Sequence, residues 1–95
     1  FEQNDVREAL AIADAWVAKE SLSSDALVAR GRSKEASQGG SGRSDFESAI
    51  RLNQSHQAAL YFAALSARAA NDPVYFQRYK NRLKSLNPRL AANLP

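Results

Sequence analysis

Residues 56–70 have the sequence HQAALYFAALSARAA, and this stretch decides the fold class. In a helix of this sequence alanines line one side, while Tyr61, Phe62 and Leu65 occupy much of the remaining surface. A helix that is apolar nearly all the way round is normally buried between neighbouring helices. We therefore predict a central helix over 56–70 with other helices packed around it.

The composition of the whole chain favours the same fold class. Of its 95 residues, 44% are hydrophobic and 24% are charged, which is typical of soluble chains with a packed core. Alanine, the best helix former, dominates the apolar share, whereas strand-favouring residues are scarce and threonine is absent. The length suits one domain. We predict a single all-α domain over residues 1–95.

Outward from the central helix, start and stop signals predict four more helices. Asn71-Asp72-Pro73 supplies a cap and a first-turn proline for a helix over 73–86, which Asn87-Pro88 ends. Serines at 21–24 are candidate caps for a second helix, and Ser44-Asp45-Phe46-Glu47 has capping-box spacing. The predicted helices cover 5–20, 25–37, 45–53, 56–70 and 73–86, with a flexible glycine-rich loop at 39–43.

Large apolar side chains at helical spacing mark the expected core. On the first helix they form a stripe that includes Ala13, Trp16 and Val17. The aromatic and leucine side chains expected to be buried are Trp16, Phe46, Phe76, Tyr79, Leu83 and Leu86. The tail after Pro88 is expected to begin one more helix.

Two Leu-Asn pairs repeat at a spacing known from helical hairpins. Leu52-Asn53 and Leu86-Asn87 lie 34 residues apart, and each ends a predicted helix. Over about residues 5–88 the chain resembles the tetratricopeptide repeat family, which has this period. Pro88 keeps the family's Leu-Asn-Pro stop, Gln54 replaces that proline in the first copy, and Ala29-Arg30-Gly31 resembles the family's first-helix glycine region.

The resemblance implies antiparallel helical hairpins stacked as a short right-handed solenoid of about two and a half repeats. In such solenoids the first helices of the hairpins line a curved groove that accepts a peptide. The resemblance assigns seven residues to this groove: Asp25, Val28, Arg32, Glu35, Tyr61, Leu65 and Arg68. For Tyr61 and Leu65, packing in the core is an equal alternative. Val28 and Arg32 stand where members that clamp a C-terminal carboxylate carry Lys and Asn, so this chain is not expected to bind chaperone tails.

The sequence contains no pattern that predicts catalysis, metal binding or membrane insertion. His56, the only histidine, stands at a helix start with no partner at metal-ligand or triad spacing, which favours a solvated or capping role over a catalytic one. There is no cysteine for a disulfide or a thiolate site, and no apolar run of the ~20 residues that a membrane span needs. Carboxylates such as Asp45 and Glu47 are expected to be solvated at helix starts. We expect no enzyme activity and no cofactor.

Three functions remain open at this point. The first is an adaptor or scaffold module that binds a protein or peptide, placed by analogy in a bacterial cell-envelope assembly. Because the chain begins at Phe1 and contains no Met, we also expect a processed form or a fragment. The second is self-association through uncapped ends of the stack. The third, less favoured, is nucleic-acid or acidic-surface binding by the basic last helix, in which Tyr75 could stack on bases. The basic residues of this last segment are Arg78, Lys80, Arg82, Lys84 and Arg89.

Overall fold

A computed structural model describes residues 3–37 and 42–95, with side chains described from Arg7 onward. Every regular element in these two ranges is a helix, so the all-α prediction is confirmed for the part of the chain described. The helices are α1 (Gln3–Lys19), α2 (Ser24–Ser37), α3 (Arg43–Leu52), α4 (Gln57–Ala69), α5 (Pro73–Leu86) and α6 (Pro88–Ala92). Both ends of each of α1 to α5 lie within two residues of the predicted ends, and α6 is the additional short helix expected in the tail.

Polar caps fix four of the helix starts. Ser23 Oγ accepts a hydrogen bond from the Ala26 amide, and Asp72 accepts one from the Tyr75 amide with Pro73 in the first turn. His56 and Asn87 cap α4 and α6 in the same way. Such caps satisfy amide groups that a helix leaves without partners. The capping role predicted for His56 and the caps predicted for α2 and α5 are confirmed.

The capping box predicted for α3 is wrong. The helix begins at Arg43, so Ser44 lies inside it, and the capping residue is Gly42, which makes no side-chain cap. Its carbonyl instead accepts hydrogen bonds from the Asp45 and Phe46 amides. Of the loop predicted at 39–43, residues 39–41 lie outside the described ranges, whereas Gly42 is buried and Arg43 is helical.

Helix α4 forms the centre of the core, as its sequence predicts. Ala59, Leu60, Ala63, Ala64 and Ala67 are each 0% exposed. The largest fully buried side chains are Phe46, Leu60 and Leu83, which come from three successive helices. The alanines let neighbouring helices approach α4 closely, and the bulky residues fill the spaces between them.

Two of the expected core residues lie at the surface. Trp16 is 38% exposed and Leu86 is 39% exposed. Among the side chains of α1 that are described, from Arg7 onward, Ala13 and Val17 are the buried ones, because this helix packs chiefly on α2. Phe76 is only partly buried, whereas Phe46, Tyr79 and Leu83 are in the core as predicted.

Each helix packs on the next one along the chain, and α2 also contacts α4. The α2–α4 pairing has a defined direction. Asp25 near the start of α2 contacts His56 at the start of α4, and Glu35 in the last turns of α2 contacts Ser66 in the last turns of α4. The two helices therefore run side by side in parallel.

Two glycines allow α2 and α3 to touch. A Cβ atom on Gly31 would stand 2.5 Å from a ring carbon of Phe46, and one on Gly42 would stand 2.1 Å from the carbonyl oxygen of Gly31. No side chain fits in either place. Glycine is thus required at both positions of this helix contact.

The repeated Leu-Asn pairs have the same local structure. Asn53 ends α3 with φ −146° and ψ 97°, and Asn87 ends α5 with φ −153° and ψ 87°. In both cases the backbone amide of the asparagine donates a hydrogen bond to the carbonyl four residues earlier. The two copies differ in how the next helix begins, since Asn87 caps α6 directly, whereas α4 is capped by His56.

Candidate functional site

A surface cavity of about 310 Å³ opens between α2, α3 and α4. Its lining includes three residues that the sequence assigns to a groove, namely Arg32, Glu35 and Leu65. Phe46, Phe62, Ser66 and Ala69 complete the lining. The parallel arrangement of α2 and α4 brings these residues together. Glu35 and Ser66, for example, are 31 residues apart in the sequence and are hydrogen-bonded to each other.

The cavity joins an apolar floor to a polar rim. The rings of Phe46 and Phe62 are stacked with centroids 5.7 Å apart, and Leu65 is partly buried beside them. On the rim, the Arg32 guanidinium lies over the Phe62 ring, 4.7 Å from its centroid. A cation in this position is attracted to the ring face and remains accessible to a ligand carboxylate, because Arg32 is exposed.

Glu35 holds the three helices of the cavity together. One of its carboxylate oxygens accepts a hydrogen bond from the Ser66 hydroxyl at 3.1 Å and another from the Gly42 amide at 3.2 Å. Glu35 therefore ties α2 to both α3 and α4. The position of the rim is set by these contacts, so the cavity is formed before any ligand arrives.

Two further predicted residues lie next to this cavity without lining it. Tyr61 is partly buried and packs edge-on against Phe62, with ring centroids 5.5 Å apart. Arg68 lies one turn beyond Leu65 and lines a separate hollow of about 390 Å³ with Asn71, Asp72, Pro73 and Phe76. Its guanidinium is 6.0 Å from the Phe76 ring centroid.

The last two predicted groove residues stand apart from the cavity. Asp25 is exposed, and its carboxylate is 2.6 Å from His56 Nε2. Asp25 lies about 15 Å from Glu35 along the axis of α2, at ~1.5 Å per residue. Val28 is buried, with 7% of its surface exposed. Its burial is consistent with the position of α2, which packs against α1, α3 and α4.

One carboxylate that the sequence places in solvent is buried. Asp45 is 4% exposed, and Arg30 grips it with two hydrogen bonds of 2.8 and 2.9 Å, while Lys34 Nζ lies 3.3 Å away. Burial acts to raise the pKa of Asp45, but the hydrogen bonds and charges of Arg30 and Lys34 outweigh it and lower that pKa. A carboxylate held ionised by two cations is a poor proton acceptor, which argues against an acid–base role for Asp45. Because Arg30 and Lys34 belong to α2 and Asp45 to α3, the cluster links these two helices.

The aromatic residues of α5 are contacted by the chain's own cations. Arg43 and Arg78 lie over the Tyr75 ring, 5.5 and 4.8 Å from its centroid. Arg43 also pairs with Asp72 at 2.8 Å, which lowers the pKa of that carboxyl. Burial, together with Glu47 at 3.2 Å from the hydroxyl, raises the pKa of Tyr79 to about 12.

Sequence reasoning missed Phe46, Phe62, Ser66 and Ala69 as cavity residues, and it assigned Phe46 to the core alone. Phe62 is next to the predicted Tyr61, and Ser66 and Ala69 are the small residues that leave space on α4. The signal available in the sequence was Ser66, the one polar residue in the run from Ala58 to Ala67 apart from the tyrosine hydroxyl. Its partner Glu35 could not be identified without the pairing of α2 with α4.

Within the described residues, no group of three or more His, Cys, Asp or Glu side chains is placed to hold a metal ion. In the same ranges no helix has the length and apolar character required to cross a membrane. Comparisons of the chain with protein-family models, curated proteins and solved structures found no match.

Proposed function

We propose that this chain is a protein-interaction module that binds a peptide segment of a partner at the α2–α4 groove. The groove is defined by Arg32, Glu35, Phe62 and Leu65, with Tyr61 at its edge. The observation that carries the proposal is the preformed cavity with an apolar floor and an accessible guanidinium on its rim. Val28 is left out of the proposed surface because its side chain lies in the core.

Stacked hairpins of the tetratricopeptide type would explain why such a groove exists. Three features support this arrangement: helices that pack on their chain neighbours, first helices α2 and α4 side by side in parallel, and equal geometry at Asn53 and Asn87. In solenoids of this kind, first helices of successive repeats line the concave surface. On this proposal α2 and α4 are the first helices of two complete repeats.

The size and chemistry of the cavity support one class of ligand. A volume of about 310 Å³ is at the small end for ligand pockets, and suits one apolar or aromatic side chain of a peptide. Arg32 would pair with a carboxylate of the same peptide, since a charge on the rim sets register while the buried anchor supplies affinity. We therefore propose a peptide with an aromatic or leucine anchor near an acidic residue.

Selection from a random peptide library displayed on phage tests this proposal. The expected result is enrichment of sequences with an apolar anchor next to Asp or Glu. Leu65→Asp places a charge at the anchor position and should weaken binding of a selected peptide by at least about tenfold, which is ~1.4 kcal/mol. Arg32→Gln should reduce affinity for acidic peptides more than for their amide counterparts.

Leu52→Asp is the matched control, because Leu52 is 44% exposed and lies outside the cavity lining. It should leave binding of the selected peptides unchanged. Unfolding midpoints of all variants would be compared first, so that loss of binding is not loss of fold. Selected peptides that bind Leu65→Asp as well as the unaltered chain would contradict the proposal.

A further inference from the structure

An exposed row of four residues runs along α1 and the residue that follows it, whose backbone amide still donates to the Trp16 carbonyl. We term it the acidic row. Its members are Glu8, Ile12, Trp16 and Glu20. All four side chains are exposed, Ile12 to 64% and Trp16 to 38%. The Trp16 indole donates a hydrogen bond to the Glu20 carboxylate. Residues four apart lie one above another on a helix, so two apolar side chains are flanked by two carboxylates.

A row of the opposite charge runs along α5, and we term it the basic row. Its members are Val74, Arg78, Arg82 and Leu86. Val74 is 64% exposed and Leu86 is 39% exposed, and both arginines are exposed between them. Arg82 is positioned by a 2.8 Å hydrogen bond to the Gln54 carbonyl, and Arg78 by the Tyr75 ring.

The distribution of charge along the sequence reinforces the contrast. Residues 1–20 contain five acidic side chains and two basic ones, whereas residues 73–95 contain five basic side chains and no acidic one. The net charge of +3 for the whole chain conceals this separation. Two copies of the chain attract each other when the first helix of one faces the fifth helix of the other.

We propose that the acidic row of one copy docks on the basic row of a second copy. Rows at spacing four are the ridges that interdigitate in the commonest helix packing, with a crossing angle of about −50°. At the crossing, Ile12 and Trp16 would lie against the aliphatic stems of Arg78 and Arg82. The indole then contacts a guanidinium, and Glu8 and Glu20 face the same cations.

This contact is heterologous, because it joins two different surfaces of the same chain. Each added copy leaves one acidic row and one basic row unused, so association proceeds beyond a dimer unless the rotation closes a ring. The second copy is the occupant supported by the charges, since both complementary rows are found in this one sequence. Neither row includes a residue of the α2–α4 groove, so the two proposals succeed or fail separately.

Sedimentation or light scattering of two variants, each with one row blocked, tests the proposal. Ile12→Lys with Glu20→Lys blocks the acidic row, and Arg78→Glu with Arg82→Glu blocks the basic row. For the unaltered chain, average mass should rise with protein concentration at low salt and return towards the monomer at ~0.5 M salt, where exposed charges are screened. Each blocked variant should remain a monomer, and an equimolar mixture of the two should show about twice the monomer mass without further growth.

Lys84→Glu with Arg89→Glu is the matched control, since it makes the same change of net charge on the same segment but off the basic row. It should associate more than the Arg78/Arg82 variant does at equal salt. Unfolding curves would verify that every variant is folded. Association by either blocked variant alone, or a strictly monomeric unaltered chain at low salt and high concentration, would overturn the proposal.

Discussion

At the scale of single residues, Gly31 determines how closely α2 and α3 approach. A glycine within a helix normally costs ~1 kcal/mol relative to alanine, so its presence here requires a compensating contact. That contact is the Phe46 ring, which occupies the space that a Cβ atom would need. The sequence shows a glycine at this position, but it does not identify the aromatic ring that packs against it.

Gly31→Ala should therefore destabilise the fold, although alanine is the better helix former. Overpacking of a core contact typically costs ~1–3 kcal/mol. The free energy of unfolding from urea titration would be compared with that of Gly31→Ala combined with Phe46→Leu. The double variant should be more stable than the sum of the two single changes predicts. Stabilisation by Gly31→Ala alone would show that the helices are further apart than described.

Asp45 is the second residue whose role depends on three-dimensional neighbours. Nothing in the sequence around it indicated burial, because its partners Arg30 and Lys34 come from the preceding helix. Its pKa is lowered in the folded protein. The resulting stabilisation is fully present above the unfolded pKa of about 3.9 and is lost as pH falls through the folded pKa.

Asp45→Asn should lower the free energy of unfolding at pH 7 by ~1–3 kcal/mol, since Arg30 and Lys34 lose a charged partner. The difference from the unaltered chain should shrink below pH 4 and approach zero once the native carboxylate is protonated. Urea midpoints measured from pH 7 to pH 2 follow this change. Asp14→Asn is the control, because Asp14 is 3.8 Å from Arg30 and 55% exposed. A pH-independent difference for Asp45→Asn would contradict the assignment.

At the scale of elements, most helix bounds follow from local sequence. Pro73 after Asp72, Pro88 after Asn87 and the serines before α2 act within a few residues, and each predicted helix is found close to its expected position. Which face of a helix is buried depends on its neighbours. Val28 is covered because α2 has three neighbours, whereas Trp16 is exposed because α1 packs chiefly on one.

The two Leu-Asn stops allow a matched comparison at this scale. The Asn87 side chain caps α6 by accepting from the Leu90 amide, while the Asn53 side chain accepts only from Ser55 in a loop. Asn87→Ala should cost ~1 kcal/mol of stability, the usual value for a lost cap, and Asn53→Ala should cost less. Hydrogen exchange should show α6 opening faster in Asn87→Ala, because the variant lacks the α6 cap and keeps only the burial of Ala91 and Leu94. Equal exchange of α6 in both variants would contradict this role for Asn87.

At the scale of the whole molecule, a spacing of 34 residues in the sequence predicts equivalent helix ends, and Asn53 and Asn87 have that equivalence. The candidate site was only partly predictable. Arg32, Glu35 and Leu65 lie together because α2 and α4 are parallel, but Asp25 is separated from them along α2. The cavity is lined on α4 by Phe62 and the small residues Ser66 and Ala69 and on α3 by Phe46, a combination that a linear pattern does not reveal.

The most direct test of the proposed groove is nuclear magnetic resonance of the labelled chain during titration with a peptide selected from the library. Chemical shifts should change for Arg32, Glu35, Phe62, Leu65 and Ser66, which come from α2 and α4, and should remain constant for Ile12 and Arg82. Shift changes confined to α1 or to the basic row of α5, with the cavity residues unaffected, would contradict the proposed groove.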